Sequence, residues 1–195
     1  MLAAVILSGG SSSRMGSPKA LLPYQGRVFL EHLLEVTSHP RIGVRRVVLG
    51  APAEPIAKAV ELQLDEIVIN EDWGKGQLSS IQAALRSLPE GTDGILLCLI
   101  DHPLITAGLV NDLIAQFYAS RAPIVLPVYQ GRRGHPVVFS KAVYEELKKA
   151  PMEVGARAVV WARAKDVHDH PTTEEGCVLN LNDPETLERV LRSME

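Results

Sequence analysis

The sequence predicts an α/β fold with a mostly parallel central sheet. Short apolar runs alternate with amphipathic segments along the first two thirds of the chain. The runs are apolar at nearly every position, which is typical of strands that are buried on both faces of a parallel sheet. Helices that join such strands cover the sheet through right-handed crossovers. We expect strands at residues 2–7, 46–50, 66–69, 94–100 and 123–128.

The amphipathic segments between these strands have the spacing of helices. In residues 77–88, Leu78 and Ile81 lie three positions apart and begin a continuous apolar stripe. Residues 28–38 and 106–119 show a similar period, close to 3.6 residues. Each segment therefore predicts a helix that packs its apolar side against the sheet.

The pattern becomes less regular after residue 130. The stretch GRRGHPVVFS contains two glycines before a short apolar run, which indicates a hairpin or an excursion. Asp183 and Pro184 have the types typical of an N-cap and a first helical position. We find no repeat or linker, so we predict a single domain over residues 1–195. The remaining predicted elements are helices near 140–149 and 155–163, a strand near 177–181 and a helix at 184–193.

Composition excludes several classes of protein. The formal net charge of −3 argues against a general nucleic-acid binder, which normally carries an excess of basic residues. No apolar run reaches the roughly 20 residues that span a bilayer, and the apolar first residues have no basic leader. Cys98 and Cys177 form neither a zinc signature nor a disulfide framework, and Cys98 is predicted to be a buried, reduced thiol. We therefore expect a cytoplasmic protein with no nucleic-acid or membrane partner.

The segment after the first strand, LSGGSSSRMGSPKALLP, has the composition of a phosphate-binding loop. Open α/β sheets bind ligands beyond the carboxyl ends of their strands. Glycines let backbone N–H groups approach a ligand closely, serines add short donors, and Arg14 and Lys19 add positive charge. These features predict a polyphosphate site. The alternative is a surface loop that only joins a strand to a helix.

Two familiar nucleotide motifs are missing from this loop. Lys19 follows Pro18, so the glycine-lysine pair of a Walker A motif is not formed. Gly9 and Gly10 are adjacent and the next glycine is Gly16, which does not match G-x-G-x-x-G. A P-loop NTPase and a dinucleotide-dependent oxidoreductase are therefore disfavoured.

Asp101 follows the predicted strand at 94–100 and is a candidate metal ligand. A carboxylate at the end of a buried strand is costly unless a positive charge meets it. Mg²⁺ usually takes one or two protein carboxylates and completes its shell with water and phosphate oxygens. The alternative is that Asp101 caps the turn at His102-Pro103. The neighbouring His102 is given no catalytic role.

The opening loop resembles the signature of the molybdopterin (molybdenum cofactor) nucleotidyltransferases. NEDWGKGQLSSIQAAL, CLIDHPLI and GRRGHPVVF continue the resemblance, so it covers essentially the whole chain. It implies a three-layer, Rossmann-like nucleotidyltransferase fold, and the cytidylyltransferases are the most similar branch. The matching residues of the loop, in order and spacing, are Leu7, Gly10, Ser12, Arg14, Met15, Gly16 and Lys19.

The resemblance also implies a site and a reaction. A nucleoside triphosphate would be joined to molybdopterin with release of pyrophosphate, and a molybdoenzyme or its chaperone would be the protein partner. Arg14, Lys19 and Asp101 are the implied catalytic residues, with Mg²⁺ on Asp101. The implied nucleotide-binding residues are Leu7, Ser8, Gly9, Gly10, Ser11, Ser12, Ser13, Arg14, Lys19, Asn70, Trp73, Gly76 and Ser79. The implied acceptor-binding residues are Arg132, Arg133, Gly134, His135, Asn180 and Asn182.

Several of these roles have alternatives. Trp73 is equally consistent with a core anchor, and Arg132 and Arg133 with solvated charges on a hairpin. Two alternative functions of the protein also remain. It could be a nucleotidyltransferase for another phosphorylated acceptor, such as a sugar phosphate, or a nucleotide-binding accessory protein without turnover.

The nucleotide base is predicted from two conflicting signals. Cytidylyltransferases typically read Leu-Ala-Ala-Gly at the start of the loop and guanylyltransferases Leu-Ala-Gly-Gly. Gly9 follows the guanylyl pattern and Ser8 follows neither. The Gly-His-Pro-Val and Asn-x-x-Trp segments favour the cytidylyl branch. CTP is therefore the favoured donor and GTP the alternative.

Overall fold

The computed structural model describes residues 1–9, 17–50 and 53–192. The strands of the described residues are β1 (Leu2–Ser8), β2 (Pro23–Tyr24), β3 (Arg27–Val28), β4 (Ile42–Leu49), β5 (Ile67–Ile69), β6 (Gly94–Leu99), β7 (Ile124–Tyr129), β8 (Arg132–Arg133), β9 (Val137–Ser140) and β10 (Val167–Pro171). The α-helices are α1 (Phe29–Val36), α2 (Glu54–Ala59), α3 (Gln77–Arg86), α4 (Ala107–Ser120), α5 (Tyr144–Lys149), α6 (Arg157–Ala162) and α7 (Pro184–Arg192).

The central sheet is mostly parallel, as the sequence predicts. Its strand order is β10-β7-β9-β6-β1-β4-β5, and β8 pairs with β7 outside this path. β9 runs antiparallel to both β6 and β7, while β1, β4, β5 and β6 are mutually parallel and β10 is parallel to β7. The parallel strands therefore all end at one edge of the sheet, which we call the carboxyl edge.

Helices cover both faces of this sheet. Every residue of β1 is buried, which explains why its sequence is apolar at successive positions. Leu2 and Ile6 pack on the face covered by α1 and α4, whereas Val5 and Leu7 pack on the face covered by α3. The core is thus two apolar layers, one on each side of the sheet.

The predicted elements of the first two thirds of the chain are present within a few residues. The largest shift is in β4, which begins at Ile42 rather than near residue 46. This part of β4 carries charged side chains that find partners: the Arg45 guanidinium pairs with Glu66 at 2.6 Å, and Arg46 donates to the Ser87 carbonyl. The start of this strand was not predicted, because its charged residues interrupt the apolar run on which the prediction was based.

The predicted strand near 177–181 is wrong. Residues Glu175–Cys177 form a 3₁₀ turn, and the chain then continues without regular structure to Asp183. The backbone N–H of Leu181 donates to the Asp101 carbonyl at 2.7 Å, so it takes part in no strand ladder. The edge strand β10 and helix α2 were not predicted, because VHDHP is polar and EPIAKA is too short for a clear period.

Two smaller predictions are confirmed. Asp183 caps α7, since its Oδ1 accepts a hydrogen bond of 2.8 Å from the backbone N–H of Thr186. Cys98 and Cys177 are both buried free thiols, and burial raises the pKa of Cys98 to about 12. No helix within the described residues is long and apolar enough to cross a membrane.

Candidate functional site

The residues with candidate functions meet at the carboxyl edge of the sheet. Gly9 follows β1, Asn70 follows β5 and Asp101 lies just beyond β6. Because these strands are parallel and belong to one sheet, the three residues lie along the same edge. This is where open α/β sheets bind ligands. Of the predicted loop residues, Gly10, Ser11, Ser12, Ser13, Arg14, Met15 and Gly16 lie outside the described residues.

Asp101 is held by a segment that is distant in sequence. The Asn180 side chain donates from Nδ2 to Asp101 Oδ2 at 3.0 Å, and Leu181 N–H binds the Asp101 carbonyl at 2.7 Å. Leu181 is fully buried, so it anchors this segment to the core. We call residues 177–183 the strap.

The strap also reaches the lysine of the opening loop. Lys19 Nζ donates a hydrogen bond to Asn182 Oδ1. Asn180 and Asn182 therefore connect a half-buried carboxylate with an ammonium group, although Lys19 and Asp101 are far apart in sequence. A cation and a carboxylate in one place are what a triphosphate with its divalent metal requires.

The donor set around Asp101 suits a hard divalent cation. Among the described residues, no group of three or more His, Cys, Asp or Glu side chains is arranged to hold a metal. Asp101 offers carboxylate oxygens, which hard divalent cations prefer, and the neighbouring Asn180 presents its amide nitrogen to this carboxylate. Mg²⁺ or Mn²⁺ would be held by Asp101 with water and phosphate oxygens completing the shell.

The buried amide of Asn70 organises the loop between β5 and α3. Asn70 is 3% exposed and its Nδ2 donates to the hydroxyls of Ser79 and Ser80, both at 2.9 Å. Its Oδ1 accepts from the backbone N–H of Asp72 at 3.0 Å. The Ser79 hydroxyl in turn lies 2.7 Å from the Gly76 carbonyl, where the chain enters α3 with a φ of 100°. Asn70 and Ser79 thus stabilise the conformation of this loop. The sequence motif alone did not distinguish this structural role from direct contact with a ligand.

Trp73 covers the end of β4. A Cβ placed on Gly50 would lie 3.0 Å from Trp73 Cγ and 3.0 Å from the Gly9 carbonyl oxygen, so only glycine fits there without movement. A Cβ on Gly9 would lie 3.4 Å from Ser80 Oγ and 3.5 Å from Gly50 N, which is ordinary contact. Gly50 and Ser80 were missed by sequence reasoning. A glycine that ends a buried strand was the available signal for Gly50.

Gly134 and His135 pack against the start of the strap. His135 N–H donates to the Cys177 carbonyl at 2.8 Å, and Gly134 N–H donates to the Pro127 carbonyl at 2.9 Å. A Cβ on Gly134 would lie 2.8 Å from the Cys177 carbonyl carbon and still closer to its oxygen. This close approach explains the glycine.

The rings of His102 and His135 lie together behind Asp101. Their centroids are 4.9 Å apart, and each Nδ1 is buried without a hydrogen-bond partner among the described residues. Burial, together with the His102 ring, lowers the pKa of His135 to about 3. Burial also lowers the pKa of His102, against the opposing effect of Asp101. Both rings are therefore uncharged near neutral pH. The contact between His102 and His135 was not predicted from the sequence.

The two arginines of β8 have different surroundings. Arg133 forms two hydrogen bonds with the Asp169 carboxylate, at 2.8 and 3.0 Å. Arg132 is exposed. The predicted pair of acceptor-binding arginines is thus not equivalent in the folded protein.

The fold and the site define a nucleotide-binding α/β protein of the nucleotidyltransferase type. The profile of the MobA-like NTP transferase domain matches residues 4–167, which is most of the chain. The protein belongs to this family, and the family and the Rossmann-like fold expected from the sequence are confirmed. Nucleotidyltransferases of this type generally use a divalent metal.

The relatives carry different names. Over 146 residues the chain is 33% identical to a nicotine blue oxidoreductase of Paenarthrobacter nicotinovorans, covering 69% of each. Over 135 residues it is 33% identical to a probable molybdenum cofactor guanylyltransferase of Mycobacterium tuberculosis H37Rv, covering 67% of this chain and 63% of that protein, less than two thirds of its length.

A solved structure resembles the chain over nearly its whole length. The manganese complex of Rv0371c from Mycobacterium tuberculosis H37Rv superposes with a TM-score of 0.74 at 27% identity, covering 98% of each chain. One solved relative is thus a complex with a divalent cation.

Proposed function

We propose that the protein transfers a nucleotidyl group from a nucleoside triphosphate, with CTP favoured, to the terminal phosphate of molybdopterin and releases pyrophosphate. The observation that carries this proposal is the strap, which brings Lys19 and Asp101 into one site through Asn182 and Asn180. A relative at 33% identity is named a molybdenum cofactor guanylyltransferase, which supports molybdopterin as the acceptor.

The proposed reaction needs positioning and charge neutralisation more than proton transfer. A phosphate nucleophile is already ionised near neutral pH, so no strong general base is required. Asp101 would hold the divalent cation, Mg²⁺ in our proposal, and the cation supplies charge stabilisation to the phosphoryl groups when it is bound. Lys19 would exchange its bond to Asn182 for the phosphates and stabilise the leaving pyrophosphate. Arg14 is proposed to act beside Lys19.

The loop around Asn70 is proposed to shape the nucleotide side. Trp73, Gly76 and Ser79 belong to the segment that follows Asn70, and a Cβ added to Gly9 would contact Ser80 and Gly50. Because a Cβ fits on Gly9 with ordinary contacts, Gly9→Ala changes the guanylyl-type residue to the cytidylyl type without forcing the backbone to move. A change of base preference in this variant would therefore report on recognition rather than on damage.

GTP is the second candidate donor, since relatives at 30–33% identity are named guanylyltransferases. The test is pyrophosphate release by the purified protein with Mg²⁺ and molybdenum-loaded molybdopterin, comparing CTP, GTP, ATP and UTP in the wild type and in Gly9→Ala. Release with CTP supports the proposal. Release with GTP alone moves the protein to the guanylyl branch.

Two controls separate the remaining alternatives. NTP binding without acceptor-dependent release, in a preparation with active cofactor, would favour another phosphorylated acceptor or an accessory role. One relative is named an oxidoreductase, so the same preparation is also tested for oxidation of NADH and NADPH. Oxidation of NADH or NADPH without pyrophosphate release would overturn the proposed transferase function.

A further inference from the structure

The two arginines of β8 face different surroundings because strand side chains alternate. β8 is antiparallel to β7, with Arg132 opposite Tyr129 and Arg133 opposite Val128. Successive side chains of a strand point to opposite sides. One side of this short ribbon therefore carries Arg132 and the other carries Arg133.

Arg133 is occupied by a partner within the fold. Its Nε and Nη2 donate to the two oxygens of Asp169 at 2.8 and 3.0 Å, in the two-pronged geometry that arginine forms with a carboxylate. Asp169 belongs to β10, the neighbour of β7, so the pair joins β8 to the edge strand. To bind a phosphate, Arg133 would have to give up two charge-assisted hydrogen bonds.

Arg132 is near the start of the strap, since it is two residues from Gly134, whose added Cβ would meet the Cys177 carbonyl. Burial and, to a smaller extent, Glu174 raise the pKa of the Cys177 thiol to about 11, and the positive charge of Arg132 acts in the opposite direction. Cys177 begins the strap and its carbonyl binds His135 N–H. Within the described part of the chain Arg132 forms no ion pair, whereas both Glu174 carboxylate oxygens accept from the Thr106 hydroxyl, at 2.8 and 2.9 Å.

From this arrangement we infer that Arg132, and not Arg133, binds the terminal phosphate of the acceptor. The inference rests on the proposed function and narrows its acceptor side to one guanidinium. An exposed arginine without a carboxylate partner, beside the segment that holds Asp101, can offer two parallel N–H donors to a phosphomonoester. Arg133 is a structural residue that ties β8 to β10.

The test compares Arg132→Ala with Arg133→Ala, a matched control one residue away. Pyrophosphate release is measured against molybdopterin concentration at saturating nucleotide, and against nucleotide concentration at saturating molybdopterin. Loss of a charge-assisted contact predicts that Arg132→Ala raises the KM for molybdopterin roughly 10- to 100-fold and leaves the KM for the nucleotide unchanged. Arg132→Lys, which keeps the charge but not the fork, recovers part of the loss.

Arg133→Ala is expected to leave the KM for molybdopterin within about twofold of wild type, because the Arg133 guanidinium is bound by Asp169 and not by the acceptor. Its stability should also change little, since an exposed ion pair contributes little to stability. Equal effects of the two alanine variants, or a wild-type KM in Arg132→Ala, would overturn the inference. An increase in the nucleotide KM of Arg132→Ala as large as that for molybdopterin would overturn it too.

The proposed function and this inference fail in different ways. A wild-type protein that releases no pyrophosphate with any nucleotide and active molybdopterin rejects both. Wild-type turnover combined with an unaffected Arg132→Ala rejects the role of Arg132 alone. Thermal unfolding of all three variants identifies any change that comes from misfolding.

Discussion

The proposed nucleotide side of the site, which is the loop around Asn70, and the strap side differ in how far apart their interacting residues lie in sequence. On the nucleotide side, Asn70 binds Ser79 and Ser80, nine and ten residues away. On the strap side, Asn180 binds Asp101 across 79 residues and Lys19 binds Asn182 across 163. The first is a local network with its hydrogen bonds satisfied inside one loop. The second exists only when distant parts of the chain have folded together.

This difference teaches where mutations should act. A change in the local network should disturb one loop and one substrate. A change in the strap should affect the proposed metal and acceptor sides and the stability of the whole fold, because the strap forms hydrogen bonds with Asp101, Lys19 and His135.

The largest expected effect is on turnover in Asp101→Asn. Loss of the carboxylate removes the proposed metal ligand while keeping the shape of the side chain, so kcat should fall on the order of 100-fold or more. Steady-state pyrophosphate release at varied Mg²⁺ checks this. Thermal unfolding serves as the control for folding, and near-normal kcat would contradict the metal role.

Acid should destabilise the protein through His135. Its pKa in the folded protein is lowered to about 3, whereas the unfolded chain takes up a proton near pH 6.5. This contribution to the free energy of unfolding is therefore complete above pH 6.5 and is lost as the pH falls toward 3. At pH 4.5 the loss is about 2–3 kcal/mol for one proton.

Urea unfolding at pH 7 and 4.5 measures this loss. His135→Gln should show a smaller decrease between the two pH values than wild type. An equal decrease in both proteins would show that other groups are responsible.

Gly134→Ala tests the close approach of β8's end to the strap. The added Cβ would meet the Cys177 carbonyl, so the backbone must move, and overpacking of this kind typically costs about 1–3 kcal/mol. Gly74→Ala, on the nucleotide side, is the matched control because nothing lies within 4 Å of its added Cβ. Denaturant unfolding compares the two variants. Equal stabilities would refute the steric account.

Asn70→Ala should have the most localised effect. It removes the hydrogen bonds that Asn70 forms with the backbone N–H of Asp72 and with the two serine hydroxyls, at a cost of about 1–2 kcal/mol. The KM for the nucleotide should rise several-fold while the KM for molybdopterin stays unchanged. If both KM values rise together, the two sides of the site are not separable in the way the hydrogen bonds indicate.

Much of the fold was predictable because it depends on local patterns. The apolar run of β1 predicts a strand buried on both faces, and the period of α3 predicts a helix on the sheet. Asp101 could be placed at the carboxyl edge because strand ends of a parallel sheet share one edge. β10 was not predicted because its sequence is polar, and residues 177–181 of the strap were wrongly predicted as a strand because they are mostly apolar.

The sequence by itself determined most strands and helices of the first two thirds of the chain and the residue types available at the ends of the strands. These depend on hydrophobic periodicity and capping, which act over a few residues. Only the tertiary structure decided that Arg133 pairs with Asp169, that His102 meets His135, and that the strap joins Lys19 to Asp101. The physical reason is that hydrogen bonds and ring contacts between distant residues depend on the tertiary fold of the chain. The spacing of residues along the sequence does not specify which distant residues will meet.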